Sequence, residues 1–234
     1  MLHSLPPKPP AIIVPVPASR AGAWIPAPRP WNPEEWRTRH DAFVARAKQG
    51  GIDVLFLGDS ITDWFTTRGV GAWEHSIAAL GTAVDFGISG DRTQWLLWRI
   101  DHGELDGCGA KVVVLMIGTN NLGATTPENV ARGIASVLSA VRTRLPNAII
   151  ILNALLPRGL PDDPVRLKLA AVNGLIRPLA DGKQVWWLDA GAGFLSRDGS
   201  IPLALMPDEL HPSSKGYEVW ASALRPVVDE ALSQ

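Results

Sequence analysis

Ser60, Asp208 and His211 are the residues whose types and order equip this chain for covalent chemistry at a carbonyl carbon. A serine hydroxyl is a weak nucleophile alone and needs a base within hydrogen-bond reach. His211 can be that base, and Asp208, three residues before it, is close enough on a turn to hold the imidazole N–H. Such a trio is recognised by role and geometry rather than by chain order, so Ser, Asp, His is as acceptable as any other. Acyl transfer also requires donors for the tetrahedral oxyanion. The backbone N–H groups of Ser60 and Gly90 and the side-chain amide of Asn120 are available, and Gly90, without a Cβ, lets the backbone approach a substrate closely. The adjoining residues Ile61, Thr119 and Leu210 are medium-sized and are expected to close a shallow pocket around a short acyl tail.

Each of these residues has a plainer reading when taken singly. Ser60 could be a helix N-cap, Asn120 a turn residue satisfying its own backbone, and Asp208 with His211 a capping pair before the last helix. What favours the chemical reading is joint placement. Gly58-Asp59-Ser60 ends one apolar run, Gly87-Ile88-Ser89-Gly90-Asp91 follows a second, and Gly118-Thr119-Asn120-Asn121 ends a third. The fourth segment, DELHPSSKGY, leads into the final helix.

The elements that must position these segments alternate along the chain. Strands are expected at 53–57, 82–86, 111–117, 148–155 and 184–188; the third and fourth are near-continuous apolar runs, as parallel strands covered on both faces should be. Residues 34–48 have acids at the start and bases near the end, as a helix dipole prefers. Thr126 and Pro127 read as an N-cap and first turn, followed by Val130, Ile134, Val137, Leu138 and Val141 at helical spacing. Further helices are expected near 164–180 and 213–232, the latter with Tyr217, Trp220 and Leu224 on one side and a kink or interruption at Pro226. The alternation implies an open, doubly wound α/β sheet of about five parallel strands, in which ligands bind outside the carboxyl ends. All four polar segments then meet at one edge.

Half of the twenty prolines fall in the first 33 residues, so an extended proline-rich arm (1–30) precedes the α/β domain (31–234). Trp24, Ile25 and Trp31 favour at least partial docking of this arm, and its position outside every polar segment implies that the chemistry survives its removal. The net charge of −1 provides no electrostatic footprint for nucleic acid. No apolar run reaches the roughly 20 residues that span a bilayer, and the amino terminus makes a poor signal peptide, broken by Pro15 and Pro17. Cytoplasm is the default compartment, with secretion or the periplasm open if an export signal is missing from this sequence. The single cysteine, Cys108, excludes an internal disulfide and any cysteine zinc cage and reads as structural. His3, His40, His75 and His102 lack ligand spacing and read as surface or packing residues. Asp59 is expected to stabilise its turn, Asp91 and Arg92 to form an ion pair between loops or contact substrate, and Trp95 and Trp98 to serve the core. The Gly-x-Ser-x-Gly elbow of α/β-hydrolases is absent.

GDSIT, GISGDRT, GTNN and DELH resemble blocks I, II, III and V of the SGNH (GDSL-type) hydrolase superfamily, across residues 54–217. FGISGDRTQWLLWRIDHGELDG and VVVLMIGTNN are similar to the catalytic subunits of the intracellular platelet-activating-factor acetylhydrolase family and their bacterial relatives. The resemblance implies a flavodoxin-like three-layer α/β/α sandwich that hydrolyses short acyl esters without metal or cofactor. It makes Ser60 the nucleophile, Gly90 and Asn120 the remainder of the oxyanion hole, and Asp208 and His211 the other triad members. Ser89 stands where close relatives often have a second glycine, so altered loop contacts with retained activity are expected. The expected substrate is a small acyl, above all acetyl, ester of a carbohydrate, lipid or aryl alcohol. Thioester or lysophospholipid hydrolysis are the variants, a silent binding module on the same fold is the alternative of a different class, and a homo-oligomer is open.

Overall fold

The computed structural model describes residues 22–234. His3 and residues 1–21 of the arm lie outside them. The order of elements is α1 (Pro33–Ala47), β1 (Val54–Gly58), α2 (Ser60–Asp63), α3 (Val70–Ser76), β2 (Ala83–Asp85), α4 (Thr93–Asp101), β3 (Val112–Met116), α5 (Pro127–Arg144), β4 (Ile149–Asn153), α6 (Pro164–Ile176), β5 (Val185–Leu188) and α7 (Ser214–Leu232). The five strands are all parallel, in the order β2-β1-β3-β4-β5. That is the flavodoxin-like order, and its switch point lies between β1 and β3.

Each expected strand is present, β1 shifted by one residue and the other four shorter by one to three, because the apolar runs that bury both faces leave little choice of period. Every residue of β1 and β3 is buried. Right-handed crossovers place α4, α5 and α6 side by side on one face of the sheet and α3 with α7 on the other. Thr126 caps α5 through Asn129 N, and Val130, Ile134, Val137, Leu138 and Val141 form its buried stripe. In α7, Tyr217, Trp220 and Leu224 pack inward as expected. Pro226 does not interrupt that helix, which runs unbroken to Leu232. The proline lies on the solvent side, where water can take the carbonyl bond its missing N–H leaves open. The short helix α3 had no sequence reading.

The end of the arm docks. Ala23 is buried and its carbonyl accepts from Thr93 Oγ1 at 2.6 Å, while Ala27 N donates to Gln94 O at 3.1 Å. The Arg132 guanidinium covers the Trp24 ring at 4.2 Å. Among the described residues no helix is long and apolar enough to cross a membrane.

Candidate active site

The switch point between β1 and β3 creates the site. β1 ends at Gly58, where an added Cβ would come 2.5 Å from the Met116 carbonyl of β3, so only glycine lets the strands part this closely. Asp59 then caps α2 by accepting from Ile61 N at 3.1 Å. That turn sets Ser60 as the first helical residue, with its N–H among the unpaired donors of a helix start. Burial pushes the Asp59 carboxyl up to about 7 against the opposing pull of the Ile61 N–H.

Ser60 Oγ lies 2.9 Å from His211 Nε2, and His211 Nδ1 lies 2.7 Å from Asp208 Oδ2. The other carboxylate oxygen, Asp208 Oδ1, accepts from the N–H groups of His211 (2.7 Å) and Leu210 (3.2 Å). Burial acts to raise the Asp208 carboxyl, but the bonds from the His211 ring and backbone outweigh it and hold the group below the ordinary carboxylate range. Trp64, one turn beyond Ser60, packs on the imidazole with ring centroids 4.3 Å apart, and the Arg68 guanidinium lies over the Trp64 ring at 3.8 Å.

The loop after β2 supplies the facing wall. Gly90 has φ +82°, and a Cβ there would meet the Trp31 ring at 2.8 Å, so glycine is required on both counts. The carbonyls of Phe86, Gly87, Ile88 and Ser89 are all engaged. Arg99 Nη1 donates to Phe86 O, Arg39 Nη2 to Gly87 O, Asp91 N to Ile88 O, and Arg29 Nη1 to Ser89 O. Its N–H groups are held as well: Gly87 N by Asp85 Oδ1, Ile88 N by Gly58 O and Ser89 N by Asp63 Oδ2. Among the described residues, Gly90 N–H alone in the loop has no acceptor. Asn120 Nδ2 donates to Asp91 O at 2.9 Å, which fixes the amide plane and leaves its second N–H for another partner.

Behind the loop, Asp91 accepts from Trp36 Nε1 (2.9 Å) and Arg99 Nε (2.9 Å), and Arg99 continues to Glu104 (2.6 Å), all three charged side chains being fully buried. Burial raises the Asp91 carboxyl to about 6, with Arg99 opposing. Asp91 is thus structural, paired with Arg99 and not with Arg92, which lies over Trp95. His40 is buried beside Glu104, His75 and His102 are exposed, and Trp95 is buried.

Ser60, Gly90, Asn120, Leu210 and His211 line one cavity of about 440 Å³. Ile61 and Thr119 do not. Ile61 points into the core, where its carbonyl takes the Tyr217 hydroxyl at 2.8 Å, and buried Thr119 accepts from Arg158. Being next in sequence to a site residue does not share its direction, since a helical neighbour is turned by about 100°. The sequence reading missed Arg29, Trp31, Trp36, Arg39 and Trp64 on the cavity wall. Trp64 was detectable, four residues from Ser60 and hence on the same face if the helical path continues; the others carried no local signal. Ser89 donates its hydroxyl to Asp63 at 2.6 Å. Among the described residues no three metal-ligating side chains gather.

Comparison with known proteins gives the family. Residues 56–219 fit the GDSL-like lipase/acylhydrolase family. The chain is 38% identical over 200 residues to the human platelet-activating factor acetylhydrolase IB subunit alpha1, covering 85% of each chain. A GDSL-like lipase from Bacteroides thetaiotaomicron shares the fold with a TM-score of 0.66 at 19% identity, over 86% of this chain and 98% of that one. An acetylxylan esterase from Geobacillus stearothermophilus does so with a TM-score of 0.62 at 22% identity, over 76% and 94%. A serine at the β1/β3 switch point, set against an imidazole beside a preformed donor loop, thus stands in a chain that belongs to the GDSL-like lipase/acylhydrolase family, the SGNH carboxylic ester hydrolases.

Proposed function

We propose that the protein is a serine esterase for short acyl esters, acetyl above all. The observation that carries this is the hydrogen-bonded line from Ser60 through His211 to Asp208 opening into the cavity that Gly90 and Asn120 share. Asp208 accepts a hydrogen bond from His211 Nδ1–H and so keeps Nε2 as the acceptor for the Ser60 hydroxyl. As Ser60 Oγ bonds to the ester carbonyl carbon, its proton passes to Nε2 and the carbonyl π electrons go to oxygen. Ser60 N–H, Gly90 N–H and the free N–H of Asn120 stabilise that oxyanion, held in place before reaction so that little reorganisation is needed. Collapse expels the alcohol with the proton from Nε2, and a water activated by the same imidazole then releases the acid.

The small acyl group is supported by the walls. Ile88, Leu210 and Trp64 line the cavity, among the described residues no inserted lid covers it, and the human subunit and the Geobacillus enzyme are both named for acetyl groups. Each methylene in an apolar pocket is worth roughly 1–3 kcal/mol, so a closed pocket discriminates over a few carbons. In a p-nitrophenyl ester series kcat/KM is expected to peak between acetyl and butyryl and fall steeply beyond about six carbons, and Ser60→Ala should lose turnover by on the order of 10⁶. A maximum at decanoyl would refute the short-acyl reading, and a folded, active Ser60→Ala would refute the nucleophile.

A further inference from the structure

The segment that precedes the family-matched region enters the donor loop directly. Arg29 is 7% exposed, and its Nη1 donates to the Ser89 carbonyl at 3.0 Å. Ser89 C=O and Gly90 N–H belong to one planar peptide unit, so a bond that fixes the carbonyl also fixes the direction of the N–H. A guanidinium on the oxygen draws charge towards the acceptor end and polarises the N–H at the other end, since charge-assisted bonds are the stronger kind and successive hydrogen bonds reinforce one another. Arg39 and Arg99 hold neighbouring carbonyls of this loop, Gly87 and Phe86; neither touches the peptide unit that carries the Gly90 donor.

Arg29 is itself locked. Its Nε donates to Trp31 O at 3.1 Å, its guanidinium carbon lies 3.1 Å from the centre of the Trp31 ring, and Asp91 Oδ1 is 3.8 Å from Nη1. The Trp31 ring in turn packs edge-on against Trp95 at 6.1 Å and lies over Gly90. Asp91 is thus shared: its side chain faces Arg29, Arg99 and Trp36, while its carbonyl orients Asn120. One buried residue, through its side chain and its carbonyl, joins the supports of two separate oxyanion donors.

We infer that Arg29 is a positioning residue for ester hydrolysis, aiming and polarising the Gly90 N–H through the Ser89 carbonyl, so that the end of the proline-rich segment is part of the catalytic apparatus. The inference rests on the assignment of Gly90 as an oxyanion donor. It departs from the sequence expectation that residues 1–30 take no part in the chemistry.

The test compares the full-length wild type with Arg29→Ala, Arg29→Lys, Asn120→Ala and Ser60→Ala on p-nitrophenyl acetate. Active sites of the serine-bearing variants are counted by complete phosphonylation, so that each rate refers to folded sites. Arg29→Ala is expected to lower kcat roughly 10- to 100-fold, less than loss of a donor and of the size a small misplacement costs, with KM within about threefold of wild type. A kcat within twofold of wild type, or a loss carried by KM alone, overturns the inference. Should Arg29→Ala not fold, Arg29→Lys is judged by the same criterion, because it keeps the buried charge beside Asp91 but not the planar fork that spans two carbonyls. An active Ser60→Ala would instead mean that the underlying triad reading has failed. An inactive Ser60→Ala and impaired Asn120→Ala, with Arg29 variants at wild-type kcat, refutes the role of Arg29 alone.

Discussion

The two walls of the cavity are built in opposite ways. The donor loop, residues 86–91, has its carbonyls clamped by three arginines and rests on the fully buried Asp91–Arg99–Glu104 chain. The turn carrying Asp208 and His211 is held mainly by itself. Most of its bonds are local, the exception being Gly159 N–H donating to Glu209 O at 2.8 Å; Glu209 sits at φ +57°, and the Asp208 side chain is 53% exposed. In the proposed mechanism the contrast follows from the work each wall does. Oxyanion donors act through fixed placement, and a dipole that must rotate towards the charge has lost much of its value. The imidazole must instead take a proton from one side and return it to another, and one carboxylate with a flanking Trp64 suffices to aim it. The buried chain also puts several charges in a dry interior, where loss of one partner leaves another uncompensated.

Substitutions on the exposed turn test the first half of that contrast and carry the largest expected effect. His211→Ala should cut kcat by on the order of 10⁶, as loss of the base in a serine triad does. Asp208→Asn should cost roughly 10²–10⁴, because the ring loses its tautomer control while the base remains. Both proteins should retain wild-type melting temperatures, the turn being local and exposed. A large fall in stability with either variant would mean that the two walls are mechanically one unit.

On the donor side, Asn120→Ala should lower kcat by roughly 10²–10³ with little change in KM, since the bond strengthens only as the oxyanion forms. A change in KM alone would make Asn120 a substrate-binding residue.

The smallest expected effect is a pH dependence of stability beneath the same loop. Burial pushes the Asp85 carboxyl up to about 8, opposed by the bond from Gly87 N–H, and its Oδ2 is buried without a partner among the described residues. Between the unfolded value near 4 and that folded value, the unfolded chain releases a proton that the folded chain keeps. Stability therefore falls as pH rises across this range, by up to about 1.4 kcal/mol per pH unit for one proton. Urea unfolding at pH 5 and pH 8 should show a smaller loss in Asp85→Asn than in wild type. Equal losses in the two proteins would contradict the buried, protonated carboxyl.

The same contrast explains what could be read from the sequence. The strands were legible because apolar runs such as Val112–Met116 admit only a doubly covered position, and the turns that follow them carry Ser60, Gly90 and Asn120 as a matter of chain order. Asp208 and His211 were legible because their bonds are local. The bracing of the donor loop was not, since Arg29, Trp36 and Arg39 lie 60, 55 and 48 positions from the Ser89, Asp91 and Gly87 they serve, and only tertiary packing brings them there. Ile61 and Thr119 were misjudged for the converse reason: adjacency in sequence was taken for adjacency in the pocket, and both turn into the interior. Pro226 reads as a helix breaker in one dimension and is harmless on an exposed face.

The central claim is that Ser60 is the nucleophile and His211 its base, and covalent trapping tests it most directly. The full-length protein is inactivated with a short-chain p-nitrophenyl alkylphosphonate, digested and mapped by mass spectrometry, alongside His211→Ala. The account predicts one phosphonyl group per chain, on Ser60, formed at a rate that collapses in His211→Ala. Inactivation with the label on another residue and Ser60 unmodified would contradict it.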